Sequence, residues 1–79
     1  MTTEEFENKL CNLGYNSTRY ADWIIVFNVR SAVVLKVNIK RIYALNTDYS
    51  AFTDDLYNSE QQELIQVIDT YVKTPVYKR

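Results

Sequence analysis

The 79-residue sequence is poor in residues that build loops, cross-links and metal sites: it has one Gly, one Pro, one Cys and no His. A lone Cys11 cannot form an internal disulfide. Without histidine, a Ser or Cys nucleophile lacks its commonest base and a metal ion its commonest ligand. Scarce Gly and Pro predict that most of the chain is regular helix or strand. We therefore expect a protein that is not an enzyme and holds no cofactor or metal.

Targeting and membrane signals are also missing from the sequence. No apolar run approaches the roughly 20 residues that a membrane-spanning helix needs. The opening stretch MTTEEFENKL is acidic and lacks the basic and apolar regions of a signal peptide. We predict a single domain, residues 1–79, that is cytoplasmic in its host cell and has no membrane partner.

The first segment has the pattern of an amphipathic helix. Thr2 and Glu5 have the spacing of a capping box, and Gly14 is placed to end the helix. Phe6, Leu10 and Leu13 recur at helical spacing. Because Cys11 falls near this apolar stripe, the pattern predicts a buried, unreactive thiol.

The middle of the chain is typical of β-structure. DWIIVFNV and AVVLKVNI are dense in β-branched and aromatic residues, and Arg30-Ser31 between them predicts a tight hairpin. RIYALN predicts a third strand, and residues 15–20 fit either a fourth strand or a turn. We expect a three- to four-stranded antiparallel meander.

The last third of the sequence returns to helix. Residues 54–57 fit a short helical turn, and Ser59 with Gln62 predicts a second capping box before a run of apolar residues at helical spacing. Pro75 cannot continue this helix, so it should end there. We expect Val76 and Tyr77 to fold back onto the body. The predicted fold class is α+β: an N-terminal helix, the meander, and a C-terminal helix ended by Pro75.

Strand register predicts two apolar faces on the sheet. A two-residue loop at Arg30-Ser31 and a second at Ile39-Lys40 would pair residues 24–29 with 32–37, and 34–37 with 42–45. One face then forms a good core, made of Ile24, Val26, Val33, Leu35, Val37, Ile42 and Ala44. The other face holds Trp23, Ile25, Phe27, Val29, Val34, Tyr43 and Leu45, together with Lys36 and Arg41.

The second face is too apolar to be an ordinary solvated sheet face, and two explanations stay open. The helices could cover both faces of the sheet, or the C-terminal tail could lie on this one. Otherwise the face binds a partner or a second copy. In that case the partner-binding residues are predicted to be the following: Trp23, Phe27, Lys36, Arg41 and Tyr43.

Charge is strongly segregated although the net charge is only −1. Residues 30–47 carry four bases and no acid, whereas residues 48–72 carry six acids and no base. A basic surface made of Lys36, Lys40, Arg41 and Tyr43 favours a small nucleic-acid-binding regulator as an alternative. The acidic balance of the whole chain argues against that alternative.

The C-terminal half resembles a family of small uncharacterised proteins from phages and prophages of Gram-positive bacteria. The resemblance rests on Tyr71, Thr74, Pro75 and Arg79 in a Tyr-x-x-Thr-Pro-x-x-x-Arg tail, with Asn46-Thr47-Asp48-Tyr49 as a second landmark. It implies a mobile-element protein that acts by binding a host protein. We therefore expect an interaction module that inhibits or modulates a host or defence protein in the manner of an anti-CRISPR inhibitor, with a structural homodimer as a further alternative.

Overall fold

The fold is α+β, with helices before and after a four-stranded antiparallel sheet whose strand order is β1-β2-β3-β4. A computed structural model describes residues 1–55 and 60–79, and side chains outside 53–61. The elements in chain order are α1 (Thr3–Asn12), β1 (Asn16–Tyr20), β2 (Trp23–Phe27), β3 (Val33–Asn38), β4 (Leu45–Asn46), α2 (Ser50–Asp55) and α3 (Glu60–Lys73). The predicted fold class is confirmed. The predicted capping box at Ser59 lies outside the described residues.

Both ends of α1 form as the sequence predicts. The Thr2 hydroxyl accepts a hydrogen bond from the Glu5 N–H at 3.1 Å, and the Glu5 carboxylate accepts one from the Thr2 N–H at 3.3 Å. These bonds from Thr2 hold the pKa of Glu5 below its ordinary value. At the other end Gly14 has a φ of 91°, and the Tyr15 N–H donates to the Leu10 carbonyl in a Schellman motif.

The central hairpin has the predicted register at its open end. Ile24 lies opposite Val37, Ile25 opposite Lys36, and Val26 opposite Leu35. β1 pairs antiparallel with β2 over residues 16–20, which settles the ambiguous segment as a strand. We define the inner face of the sheet by its buried residues in β2 and β3: Ile24, Val26, Leu35 and Val37.

The closed end of this hairpin differs from the prediction because β3 contains a β-bulge. Phe27 lies opposite Val33 rather than Val34, so Val34 is the extra residue; it is buried, whereas Val33 is half-buried beside Phe27. The two-residue loop at Arg30-Ser31 is also wrong. Asn28 holds a longer turn, since its side-chain oxygen accepts hydrogen bonds from the Arg30 and Ala32 N–H groups. Val29 is therefore exposed instead of paired.

The connection after β3 is longer than the predicted loop at Ile39-Lys40. The Asn38 side chain accepts a hydrogen bond from the Lys40 N–H and starts a turn there, and Tyr43 adopts a left-handed φ of 59°. Pairing resumes at Ala44, whose carbonyl accepts a hydrogen bond from the Asn38 N–H at 2.9 Å, and continues in β4, where Leu45 lies opposite Val37 and Asn46 opposite Lys36. The predicted strand RIYALN thus forms only at its end, Leu45–Asn46, and its predicted register is wrong: Ile42 is exposed outside the core, and Leu45 lies on the inner side.

The core lies between the inner face and two helices packed on that same side. The rings of Phe6 in α1 and Tyr71 in α3 stack at 4.2 Å between centroids, and the Tyr71 hydroxyl shares a 2.7 Å hydrogen bond with the Thr3 hydroxyl. The core residues are the following: Phe6, Leu10, Tyr15, Ile24, Val26, Val34, Leu35, Val37, Leu64, Ile68, Tyr71 and Val72. The alternative in which α1 and α3 cover opposite faces is therefore wrong.

The C-terminal segment does fold back, but through a different residue from those expected. α3 ends at Lys73, and a short 3₁₀ helix follows over Val76–Lys78. Tyr77 is 84% exposed and Val76 is also exposed, so the prediction that they cover the body is wrong. Arg79 makes the return contacts instead.

Candidate functional site

The outer face of the sheet is the candidate site, and its side chains come from alternate positions of three strands. In β2 these are Trp23, Ile25 and Phe27, all half-buried. Strand pairing places further residues on the same face: Asn16, Thr18 and Tyr20 from β1, and Val33 and Lys36 from β3. The face therefore has an apolar centre and a polar margin along β1.

No described residue of the outer face belongs to the core. The core cluster omits Trp23, Ile25 and Phe27, and so does the set of partly buried hydrophobic side chains packed against it, namely Met1, Leu13, Ile39, Ala51, Phe52 and Val67. α2 lies against β3, with Phe52 beside the inner-side residue Leu45. Among the side chains that are described, those outside 53–61, the outer-face residues thus lie outside the packed interior.

Basic residues lie on the outer face and beside it. The Lys36 ammonium lies 5.9 Å from the centre of the Tyr49 ring, in cation–π range. At the other end, Trp23 and Arg41 line one shallow depression together with Lys40 and Asp22. Lys40 pairs with Asp22 at 3.3 Å, while Arg41 is exposed.

Tyr43 lies in the connection after β3 and is not part of a strand of the sheet. Its backbone N–H donates to the Val72 carbonyl at 3.0 Å, which fixes it at the C-terminal end of α3. There it contributes slightly to the raised pKa of Lys73, which comes mainly from the hydrogen bond and charge of Asp69 at 2.6 Å. The structure therefore brings Trp23, Phe27 and Lys36 together on one face, with Arg41 at its border.

The C-terminal tail makes structural contacts at three of the residues that carry the family resemblance, namely Tyr71, Thr74 and Arg79. Tyr71 is buried in the core, and the Thr74 hydroxyl donates to the Thr70 carbonyl at 2.8 Å. The Arg79 guanidinium lies 4.6 Å from the Tyr71 ring centre and donates to five backbone carbonyls. These acceptors are Thr74 at 3.0 Å, Asn38 at 2.8 Å, Ile39 at 2.9 Å, Arg41 at 3.2 Å and Val72 at 3.1 Å.

We call this set of contacts the Arg79 clamp. It satisfies carbonyls at the end of α3, which the helix itself leaves unpaired, and ties them to the connection after β3. The tail is therefore accounted for by architecture. The sequence groups Arg79 with the tail but gives no signal for this role, because three of its five acceptors are backbone carbonyls about 40 positions away.

Reactive groups do not converge in the described part of the chain. Cys11 is exposed, so the expectation of a buried thiol is wrong: the α1 stripe turns Phe6 and Leu10 inward and leaves Cys11 on the surface. Among the described residues, no three His, Cys, Asp or Glu side chains group as metal ligands. Over the same residues, no helix has the length and apolar character to cross a bilayer.

Comparison with known proteins gives no relative: no family model, no curated protein and no solved structure matches the chain. The resemblance of the C-terminal tail to phage and prophage proteins therefore stays a prediction.

Proposed function

We propose that this chain is a non-catalytic interaction module whose outer face binds another protein. In the context implied by the phage resemblance, that partner is a host protein, and binding inhibits or modulates it in the manner of an anti-CRISPR inhibitor of a defence nuclease. The observation that carries the proposal is the apolar outer face, whose residues Trp23, Ile25 and Phe27 lie outside the core.

The residue types on this face fit protein binding. Aromatic side chains supply a large contact area at a low cost in conformational entropy and dominate the binding energy of many interfaces. Trp23 and Phe27 lie at the two ends of β2 with Ile25 between them, so a partner would bury a continuous strip. Contiguous apolar surface of this kind marks interaction sites on soluble proteins.

The charges around the strip favour an acidic partner surface. Lys36 lies on the strip itself and Arg41 at its border, and neither has an acidic partner among the described side chains. Cations at the margin of an interface mainly speed association and fix orientation. The partner site should therefore carry carboxylates around an apolar centre.

The arrangement is less suited to nucleic acid. A nucleic-acid surface would need Lys36, Lys40, Arg41 and Tyr43 to act together. Lys40 is paired with Asp22, and Tyr43 lies at the end of α3. The basic set is thus divided, and we do not propose nucleic-acid binding.

The experiment is capture followed by a measured affinity. Immobilised wild-type protein is exposed to lysate of a Gram-positive host, captured proteins are identified by mass spectrometry, and the best candidate is purified for titration. Lys36→Glu and Arg41→Glu should each weaken binding at least about tenfold, or about 1.4 kcal/mol, by placing a carboxylate against an acidic surface. Neither change touches the apolar side chains of Trp23, Ile25 or Phe27.

The matched control is Lys9→Glu, an equal charge reversal at an exposed site on α1, which packs on the inner side of the sheet. It should leave the affinity unchanged. Equal losses for Lys9→Glu and Lys36→Glu would show that net charge, not the outer face, drives binding. No affinity change in any reversal variant would reject the outer face as the site.

A further inference from the structure

The two edges of the sheet differ in how they are protected. β4 is only two residues long, and α2 lies against the adjacent strand β3, so this edge offers little free backbone. β1 is five residues long, is mostly exposed, and contains neither proline nor a bulge. Short strands, prolines, bulges and charged side chains are the usual guards of sheet edges, and of these β1 has only the charged Arg19.

The alternating direction of the backbone hydrogen bonds along β2 shows which backbone groups of β1 are free. The Ile39 N–H donates to the Asp22 carbonyl at 2.8 Å, and this pair continues the register of β2 and β3. Since pairing groups alternate along a strand, Trp23, Ile25 and Phe27 direct theirs toward β1. Their partners there are Tyr20, Thr18 and Asn16.

Ser17 and Arg19 therefore direct their backbone N–H and C=O groups away from the sheet. In the described part of the chain, these groups have no hydrogen-bond partner. The Arg19 side chain does not obstruct the edge, because its guanidinium is held by the Glu7 carboxylate of α1, with the Nε to Oε1 distance at 3.2 Å. That hydrogen bond and charge raise the pKa of Arg19 above its ordinary value.

We propose that β1 pairs antiparallel with β1 of a second copy of this chain, about a two-fold axis at Thr18. In this register Ser17 of each copy lies opposite Arg19 of the other, and each such pair exchanges two backbone hydrogen bonds. The two Thr18 residues form the intervening pair, with Cα atoms about 4.5 Å apart. The result is a continuous eight-stranded sheet in which the outer faces of the two copies lie on the same side. This dimer goes beyond the proposed function.

Register and charge favour a second copy over a foreign strand. The symmetric register creates no opposition of like charges, since Arg19 faces Ser17, and it sets Thr18 against Thr18, a favourable cross-strand pair. With Arg19 neutralised by Glu7, the edge has no net charge that would select an acidic or basic partner strand. A closed two-fold pair also uses the free edge completely and leaves no open end on β1.

The first test is sedimentation equilibrium over a range of protein concentrations, in reducing buffer because Cys11 is exposed. The average mass should rise from 9.3 kDa toward twice that value. Ser17→Pro removes one outward N–H without touching the β1–β2 bonds, so it should stay monomeric, while Ser17→Thr keeps the donor and should behave as wild type. Circular dichroism checks that both variants fold.

The second test is a charge exchange that needs no proline. Thr18 is exposed, so Thr18→Lys and Thr18→Glu should both fold. Each variant alone places like charges face to face and should dimerise several-fold more weakly than wild type, while an equimolar mixture should recover the dimer as a mixed pair. Recovery would show that the two Thr18 side chains lie close together across the interface, and the loss of the dimer in Ser17→Pro would assign that interface to the edge of β1.

Three results would overturn the proposal. They are a wild-type protein that stays at 9.3 kDa at the highest concentration, a dimer that survives in folded Ser17→Pro, and a mixture of the Thr18 variants that fails to recover. A monomeric protein whose purified partner is released by Ser17→Pro would instead place a foreign strand on this edge. Lys36→Glu and Arg41→Glu should not change the dimer, so failure of this proposal and failure of the outer face are separable.

Discussion

The inner and outer faces of the sheet are almost equally apolar in sequence but differ in their surroundings. On β2, the inner residues Ile24 and Val26 are fully buried beneath two helices. The outer residues Trp23, Ile25 and Phe27, which alternate with them, are half-buried and lie outside the core. Apolar character therefore predicts that a face is covered by something, but not whether the cover comes from the same chain.

The largest expected effect is the difference in stability between shortening an apolar side chain on the inner face and shortening one on the outer face. Leu35→Ala removes a fully buried side chain and should lower the free energy of unfolding by about 2–5 kcal/mol. Ile25→Ala on the outer face should lower the free energy of unfolding by about 1 kcal/mol, since the Ile25 side chain is only half-buried. Urea unfolding followed by circular dichroism measures both values. Equal costs would show that the outer face is covered within the chain.

The next largest effect tests the Arg79 clamp. Arg79→Ala removes the clamp that joins the end of α3 to the connection bordering the outer face, and it should cost about 2–3 kcal/mol because partly buried carbonyls lose a charged donor. Lys78→Ala is the control: this adjacent side chain is exposed, and its ammonium lies 5.7 Å from the centre of the neighbouring Tyr77 ring. Equal unfolding midpoints for the two variants would argue that the clamp adds no stability.

A smaller effect tests the polar contact within the inner layer. Tyr71→Phe deletes the hydroxyl that bonds Thr3 and keeps the ring stacked on Phe6. The expected loss is about 1 kcal/mol, since only one buried hydrogen bond is removed. Thermal unfolding provides the measurement. A loss as large as that of Leu35→Ala would mean that the bond orients the stacked rings as well.

The smallest expected effect is at the N-cap of α1, which lies on neither face of the sheet. Thr2→Ala removes the α1 cap and should cost about 0.5–1 kcal/mol near neutral pH. It should also return the pKa of Glu5 upward toward its ordinary value, which NMR titration can follow. Because the lowered pKa stabilises the fold only while Glu5 is ionised, the difference in the free energy of unfolding should narrow as the pH falls through the titration of Glu5. The part that comes from the bond between the Glu5 N–H and the Thr2 hydroxyl should remain. An unshifted Glu5 would contradict the capping box.

Local signals predicted the fold well and the connections poorly. The spacing of Thr2 with Glu5, and the alternation in β2, correctly predicted the start of α1 and the pairing of Ile24 with Val37. The errors fall at turns where the side chain of one residue accepts hydrogen bonds from nearby backbone N–H groups: Asn28 lengthens one turn, and Asn38 starts another. An asparagine at a strand end is common enough that its turn cannot be told from a continued strand by pattern alone.

The candidate site was predictable only in part, for the same physical reason. Trp23, Phe27 and Lys36 follow from strand alternation and lie together as expected. Tyr43 depends on the length of the connection before β4, and one altered turn moved it to α3. The free edge of β1 could not be found from composition, because it depends on which residues of β2 direct their hydrogen bonds toward β3.

The bulge at Val34 has a consequence for how this fold tolerates changes in length. A regular ladder needs one residue fewer in β3, so deleting Val34 would set Phe27 and Val33 in step with Val26 and Leu35 without altering either face beyond that point. The cost would be a buried valine and some strand curvature, not a reversed sheet. Chains with this fold can therefore differ by one residue at this position and still present the same outer face.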